Sequence, residues 1–317
     1  MDDATQSFQR LRPRLRGIAY RMLGTSADAD ELVQDVWLKW HEADRSEIQN
    51  AEAWLVTVTT RLSIDRLRTA RLQRAHYVGF WLPEPQLDLE ALAPSPTDDA
   101  PATPEQLLER ADDLSVAFLA VLERLAPEAR AAFLLREVFE ADYAEVAQAL
   151  GKSEAACRQI VSRAKTQLKD QRPRQSVSPE QHYRLLSGFA DAARRGDFAQ
   201  LQALLAEDAE LISDGGGIVP SFGRVLAGAT RIAQLYFAVW RRSERGDARQ
   251  RLALARFNGE WGLLRYIDGQ LESAQSLETD GRRIVRIHTQ RNPEKLRAMA
   301  QALARVGVTN TDAKASG

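Results

Sequence analysis

The chain has 317 residues, with 43 basic, 44 acidic and a single cysteine. That length predicts two or three domains at about 150 residues each. A composition of 44% hydrophobic and 27% charged residues is globular, neither disordered nor membrane-embedded. One cysteine excludes an internal disulfide framework, and the scattered His41, His76, His182 and His288 argue against a Cys/His zinc site, so no cofactor or metal is expected. The longest apolar run, Ser115 to Leu122, is too short to cross a bilayer. The opening MDDATQ lacks the order of a signal peptide, so a cytoplasmic location without a membrane partner is expected.

The net charge of −1 hides segregation. Residues 76–113 carry 1 basic and 9 acidic residues, and basic stretches flank them: Arg61 to Arg74 and Leu150 to Arg174. Two basic patches can neutralise phosphates along a polyanion, although a charge run is more often a solvated face. The first domain, 1–76, reads as all helix. Phe8, Leu11, Leu15, Ile18 and Met22 recur at helical spacing, as do Leu32, Val33, Val36, Trp37 and Trp40, then Trp54, Leu55, Val58 and Leu62. Residues 77–112 form an acidic linker with Pro83, Pro85, Pro94, Pro96, Pro101 and Pro104.

The second domain, 113–172, is also helical. Leu114, Phe118, Val121, Leu122 and Leu125 form one stripe, and a helix is predicted from Glu128 to Glu140. Asp142 and Glu145 resemble a capping box, Gly151 suits a helix end, and Ser153 can cap a last helix that buries Ala156, Ile160, Ala164 and Leu168. Two helices joined by a short glycine turn, the second with a basic polar face, form the helix-turn-helix pattern, for which a plain amphipathic hairpin is the alternative. Cys157 faces inward by spacing, which predicts a packed thiol. The third domain, 178–291, has helices at 180–195, 197–206 and 229–242 around a strand at 208–213. Asn258-Gly259, Asp268-Gly269 and Asp280-Gly281 then predict type I′ turns in a four-stranded meander, an α+β unit. A tail, 292–317, follows.

The first domain resembles the promoter-melting domain of extracytoplasmic-function sigma factors, through Asp28 to Trp37, Asn50 to Leu55 and Arg61 to Arg68. The second resembles their helix-turn-helix domain, through Phe133 to Phe139, Tyr143 to Ala147 and Gly151 to Gln159. The third is similar to the SnoaL-like domains of the NTF2-like superfamily, a cone-shaped fold. A subgroup of these sigma factors carries that domain fused, with three marker motifs. All three are visible: Trp81, Leu82, Pro83, Glu84 and Pro85; Asp214, Gly215, Gly216 and Gly217; and Asn292, Pro293, Glu294, Lys295 and Leu296. The glycine motif of the subgroup usually ends in Lys, and Ile218 stands here instead.

The resemblance implies a multidomain, non-enzymatic initiation factor with core RNA polymerase and promoter DNA as partners. Asp28, Asp30, Glu31, Gln34, Asp35 and Trp37 would dock on the clamp helices of the largest polymerase subunit. Asn50 and Trp54 would meet the opened downstream promoter element, and Arg61, Arg66, Arg68, Arg71 and Arg74 would hold phosphates. Ser153, Glu154, Arg158, Gln159, Ser162 and Arg163 would serve the upstream element. The three markers would regulate the other domains in cis, with an unidentified small molecule in the cone kept open. The alternatives are a SnoaL-like isomerase or hydrolase fused to a DNA-binding module, with Asp214, Asp268 and His288 as acid–base candidates, and a repressor that acts without polymerase.

Overall fold

The computed structural model describes residues 3–74, 77–88, 115–169, 177–246 and 248–306. Leu114, Pro94, Pro96, Pro101, Pro104, Arg174 and the tail beyond 306 lie outside the described residues. The chain divides into two compact units, one formed by 1–76 with 119–172, the other by 77–118 with 173–317.

The first unit is helical. α1 (Asp3–Leu23), α2 (Ser26–Glu42) and α3 (Ala51–Arg74) pack pairwise and bury Leu11, Leu15, Ile18, Met22, Leu32, Val36, Leu55 and Leu67. Gly24, at φ 82°, ends α1, and the Thr25 hydroxyl accepts from the Asp28 N–H to start α2. Then come α4 (Val116–Leu122), α5 (Pro127–Glu137), α6 (Tyr143–Leu150) and α7 (Glu154–Lys169). Leu119, Leu122 and Leu125 are buried, while Phe118 and Val121 are only half-buried. α5 ends at Glu137, short of the predicted Glu140, which sits at φ 56° in left-handed backbone that a helix cannot continue through. The Asp142–Glu145 capping box forms in full, and Gly151 closes α6 at φ 64°. α7 buries Cys157, Val161, Ala164 and Leu168. Ala156 and Ile160 are corrected to half-buried positions: a strict spacing of four drifts about 40° per step on a helix of 3.6 residues per turn.

The second unit begins with α8 (Pro179–Arg195), α9 (Phe198–Leu204), β1 (Leu205–Asp214), β2 (Leu226–Ala227) and α10 (Ala229–Glu244). The meander follows as β3 (Gln250–Phe257), β4 (Glu260–Ile267), β5 (Gln270–Thr279) and β6 (Ile284–Gln290), and α11 (Pro293–Val306) closes the unit. The sheet order is β2-β1-β6-β5-β4-β3, with β1 parallel to β6 and every other pair antiparallel. One core gathers Phe189, Leu201 and Ile232 of α8–α10 with Leu211, Leu263, Leu277 and Ile287 of the sheet. A second core joins Leu296, Met299 and Leu303 of α11 to Ala255, Leu264, Tyr266 and Ala274, and also takes in Val116. Asn258-Gly259 and Asp268-Gly269 have positive φ at both positions, as type I′ turns require. The third turn is corrected. Only Gly281 has positive φ, and the Asp280 carboxylate accepts from the N–H groups of Arg282 and Arg283, which stabilises a longer loop.

Candidate functional site

On α2, Asp28, Glu31 and Gln34 are exposed, and Asp30 pairs with Arg16 at 2.7 Å. Trp37 is half-buried with its ring 4.9 Å from that of Phe8, so it is partly core. Asn50 caps α3 by accepting from the Ala53 N–H at 3.0 Å, and Trp54 packs 5.4 Å from the Trp40 ring. The α3 arginines are all engaged. Arg61 donates to the carbonyls of Ala149 (3.0 Å) and Gln148 (2.9 Å) at the end of α6. Arg66 turns to Asp35 at 2.5 Å and Glu31 at 3.3 Å. Arg68 reaches Glu128 at 2.7 Å, Arg71 the carbonyls of Glu123 and Leu125, and Arg74 the Glu123 carboxylate. Arg130, almost wholly buried, donates to that carboxylate at 2.5 Å and to the Arg21 carbonyl at 2.9 Å.

On α7, Ser153 caps the helix by accepting from the Ala156 N–H at 3.3 Å. Glu154 pairs with Arg158, whose guanidinium lies 4.8 Å over the Tyr143 ring. That stacking holds Arg158 in place beside the exposed Gln159, Ser162 and Arg163. Burial pushes the Cys157 thiol up, which fits a packing role.

In the second unit the three markers meet around one carboxylate. Asp214, fully buried at the end of β1, accepts on Oδ1 from the Tyr77 hydroxyl (2.6 Å) and the Gly216 N–H (2.9 Å). On Oδ2 it accepts from the Leu82 N–H (2.9 Å), Lys295 Nζ (2.8 Å) and Gln290 Nε2 (3.2 Å). Lys295 also donates to the Leu82 carbonyl at 2.6 Å and lies 4.0 Å over the Trp81 ring. Gln290 reaches the carbonyls of Leu82 and Pro83. Asn292 donates to Tyr77 at 3.0 Å and caps α11 through the Glu294 N–H. Pro293 and Glu294 are exposed on that first turn, and Leu296 is buried below it. Glu84 and Pro85 are buried, and beyond them Gln86 and Asn258 exchange hydrogen bonds at 2.8 Å. Residues 77–88 thus form a strap held on this unit.

Close approach explains the glycines. A Cβ on Gly215 would lie 2.3 Å from the Val219 carbonyl oxygen, and one on Gly216, at φ 64°, 2.3 Å from the Asn292 amide. Gly217, at φ 72°, lies against Val78, and Ile218 is exposed. The lysine on Asp214 is therefore Lys295. Burial, then the hydrogen bond to Asp214, push the Tyr77 phenol well up, so it stays a donor.

The acid–base set does not assemble. Asp268 is exposed and accepts from the Arg249 N–H in a turn, while Asp214 is saturated by donors. His288 is buried with Nδ1 3.5 Å from Glu278, and burial, then the Arg286 charge, push its pKa down to about 3. Sequence reasoning misses Tyr77 and Gln290. Alternation along β6 places Gln290 on one face with Arg286 and His288, a usable signal, whereas nothing local marks Tyr77. Among the described residues no group of His, Cys, Asp or Glu is arranged to hold a metal ion, and no helix is long and apolar enough to cross a membrane.

Residues 7–73 match the Sigma-70 region 2 family and residues 115–168 the Sigma-70 region 4 family. The chain is 38% identical over 259 residues to the ECF RNA polymerase sigma factor SigJ of Mycobacterium tuberculosis, covering 80% of this chain and 78% of that one. It is 27% identical over 297 residues to the probable ECF sigma factor SigI of the same organism, covering 93% and 95%. The crystal structure of Mycobacterium tuberculosis SigJ superposes with a TM-score of 0.70 at 31% identity, over 92% of this chain and 98% of that one. Sigma factors bind core RNA polymerase and promoter DNA, and are initiation factors rather than enzymes. Both helical domains and the fused mixed-sheet domain are thus accounted for, and the chain belongs to the extracytoplasmic-function family of RNA polymerase sigma factors.

Proposed function

We propose that this sigma factor is controlled in cis by its C-terminal unit, which acts by holding the linker. Asp28, Asp30, Glu31, Gln34, Asp35 and Trp37 dock on the clamp helices of the largest polymerase subunit, where acidic side chains suit a basic surface. Asn50 and Trp54 meet the opened downstream element, Arg61, Arg66, Arg68 and Arg71 hold phosphates, and α7 enters the major groove with Arg158, Gln159 and Arg163.

The observation that carries the regulatory part is the meeting of Leu82 and Lys295 on the buried Asp214 carboxylate, with Lys295 over the Trp81 ring. The strap begins three residues after α3, and Val116 at the start of α4 packs in the same unit. Both ends of the segment joining the two promoter-reading domains are therefore fastened to the third. Release of the strap frees residues 77–88 from this unit and widens the separations the two domains can adopt.

Run-off transcription with purified core polymerase on the protein's own upstream promoter tests this. Full-length protein is compared with chains ending near Pro173 and near Arg291. The full chain initiates, and each truncation, which removes Lys295, changes the output. Equal outputs from all three refute regulation in cis, and no initiation from any of them refutes the promoter and polymerase assignments.

A further inference from the structure

The α3 arginines do not merely contact the second helical domain; they sit on a particular kind of acceptor. Arg61 donates to Gln148 and Ala149 carbonyls at the end of α6, and Arg71 to those of Glu123 and Leu125 just past α4. Arg14 of α1 points to the Phe139 carbonyl past α5 at 3.5 Å. These carbonyls lie at or just past the ends of three consecutive helices, near the negative pole of each macrodipole, and that of Gln148 also accepts from the Gly151 N–H. Arg68 adds the Glu128 carboxylate at 2.7 Å. The junction is also incompletely packed. A cavity of about 20 Å³ lies between Arg14, Glu52, Leu135 and Gln148, and Arg14 Nε is buried there without a partner among the described residues.

We infer that these helix ends stand in for DNA phosphates. Arg61, Arg68 and Arg71 clasp the second helical domain in the isolated chain and exchange it for the phosphate backbone, so that DNA binding and separation of the two helical domains are one coupled step. A helix C-terminus presents about half a charge and a phosphate a whole one. The exchange therefore favours DNA at low salt, where counterion release is strongest. The inference rests on the phosphate role proposed above for these arginines. Arg66 is the internal control, because Asp35 and Glu31 hold it within its own domain.

Dyes at Ser46→Cys and Thr166→Cys report the separation of the two domains in the full chain, with the buried Cys157 left in place. A random-sequence duplex at about 50 mM salt is expected to lower energy transfer along the same isotherm as it binds. Arg61→Ala with Arg71→Ala is expected to open the chain without DNA. It should also flatten the log–log salt dependence of binding by about 1.8, or about 12-fold less loss of affinity on a fourfold rise in salt. Arg66→Ala should flatten it by about 0.9 without opening the chain. DNA that binds with energy transfer unchanged overturns the exchange and leaves the phosphate role standing. So does a double variant that stays closed while its salt slope falls. A double variant that opens yet keeps the wild-type slope overturns the exchange through failure of the phosphate role, as does a wild-type chain that binds no DNA. If the double variant does not fold, Gln148→Glu decides. A carboxylate at that exposed position beside Arg61 should hold the chain closed and weaken DNA binding several-fold, and unchanged binding overturns the inference.

Discussion

Asp214→Ala removes the acceptor of five hydrogen bonds at once, from Tyr77, Gly216, Leu82, Gln290 and Lys295. Lys295 loses its carboxylate while its side chain is only 9% exposed. Removing one partner of a buried ion pair costs about 3–5 kcal/mol. The sheet and α11 have their own apolar core, so the strap is the part that yields: once detached, Tyr77 and the Leu82 N–H regain water. At about 1.4 kcal/mol per factor of ten, the ratio of docked to detached strap falls by about 10² to 4 × 10³. Hydrogen exchange measures it. The Leu82 amide loses its own acceptor and is a biased reporter. The Asp88 amide, which donates to the Arg256 carbonyl at 3.1 Å, reports release of the whole strap. Its exchange should accelerate by about the same factor when strap opening governs it. Asp214→Asn keeps one oxygen, for Tyr77 and Gly216 or for Leu82 and Lys295 but not for both, and turns an amide N–H toward the remaining donors, so it should also release the strap, by about 3–5 kcal/mol. An Asp88 amide in Asp214→Ala that exchanges within about threefold of wild type would refute the assignment of Asp214 as the strap's holding point.

Gly215→Ala should destabilise the second unit by about 1–3 kcal/mol in urea unfolding, because the new methyl meets the Val219 carbonyl oxygen, which is backbone and cannot swing away. His288 is held neutral with its pKa near 3, below the ordinary 6.5, so between those values the unfolded chain binds one more proton. Stability should therefore fall with falling pH across that window, by up to about 1.4 kcal/mol per unit. Glu278, raised by burial, works in the opposite sense just above 4.5, since there the folded chain holds the extra proton. His288→Gln should flatten the loss between pH 6.5 and 5, and an unchanged slope in pH-resolved urea melts would refute the contribution. Asp142→Ala should cost about 1 kcal/mol by removing half of the α6 capping box, read as a lower urea midpoint at unchanged m-value.

Much of the secondary structure follows from local chemistry. The Asp142–Glu145 box, the Gly151 cap and the turns at Asn258-Gly259 and Asp268-Gly269 form as their residues predict, because each interaction closes within a few residues. Errors arise where a local rule is applied too rigidly, as with the strict four-residue stripe of α7 and the extension of α5 through Glu140. The three marker motifs are visible in the chain, and their shared site is not. Asp214 is 132 residues from Leu82 and 81 from Lys295. They meet because β1 pairs parallel to β6 and α11 turns back over the sheet, which spacing along the chain does not encode. The arginine row of α3 shows the same division. Sequence by itself determined its charge, its helix and its place before the linker. Tertiary structure alone decided that Arg61 and Arg71 rest on helix-end carbonyls and Arg66 on Asp35, because such an acceptor comes within reach only when separate helices pack.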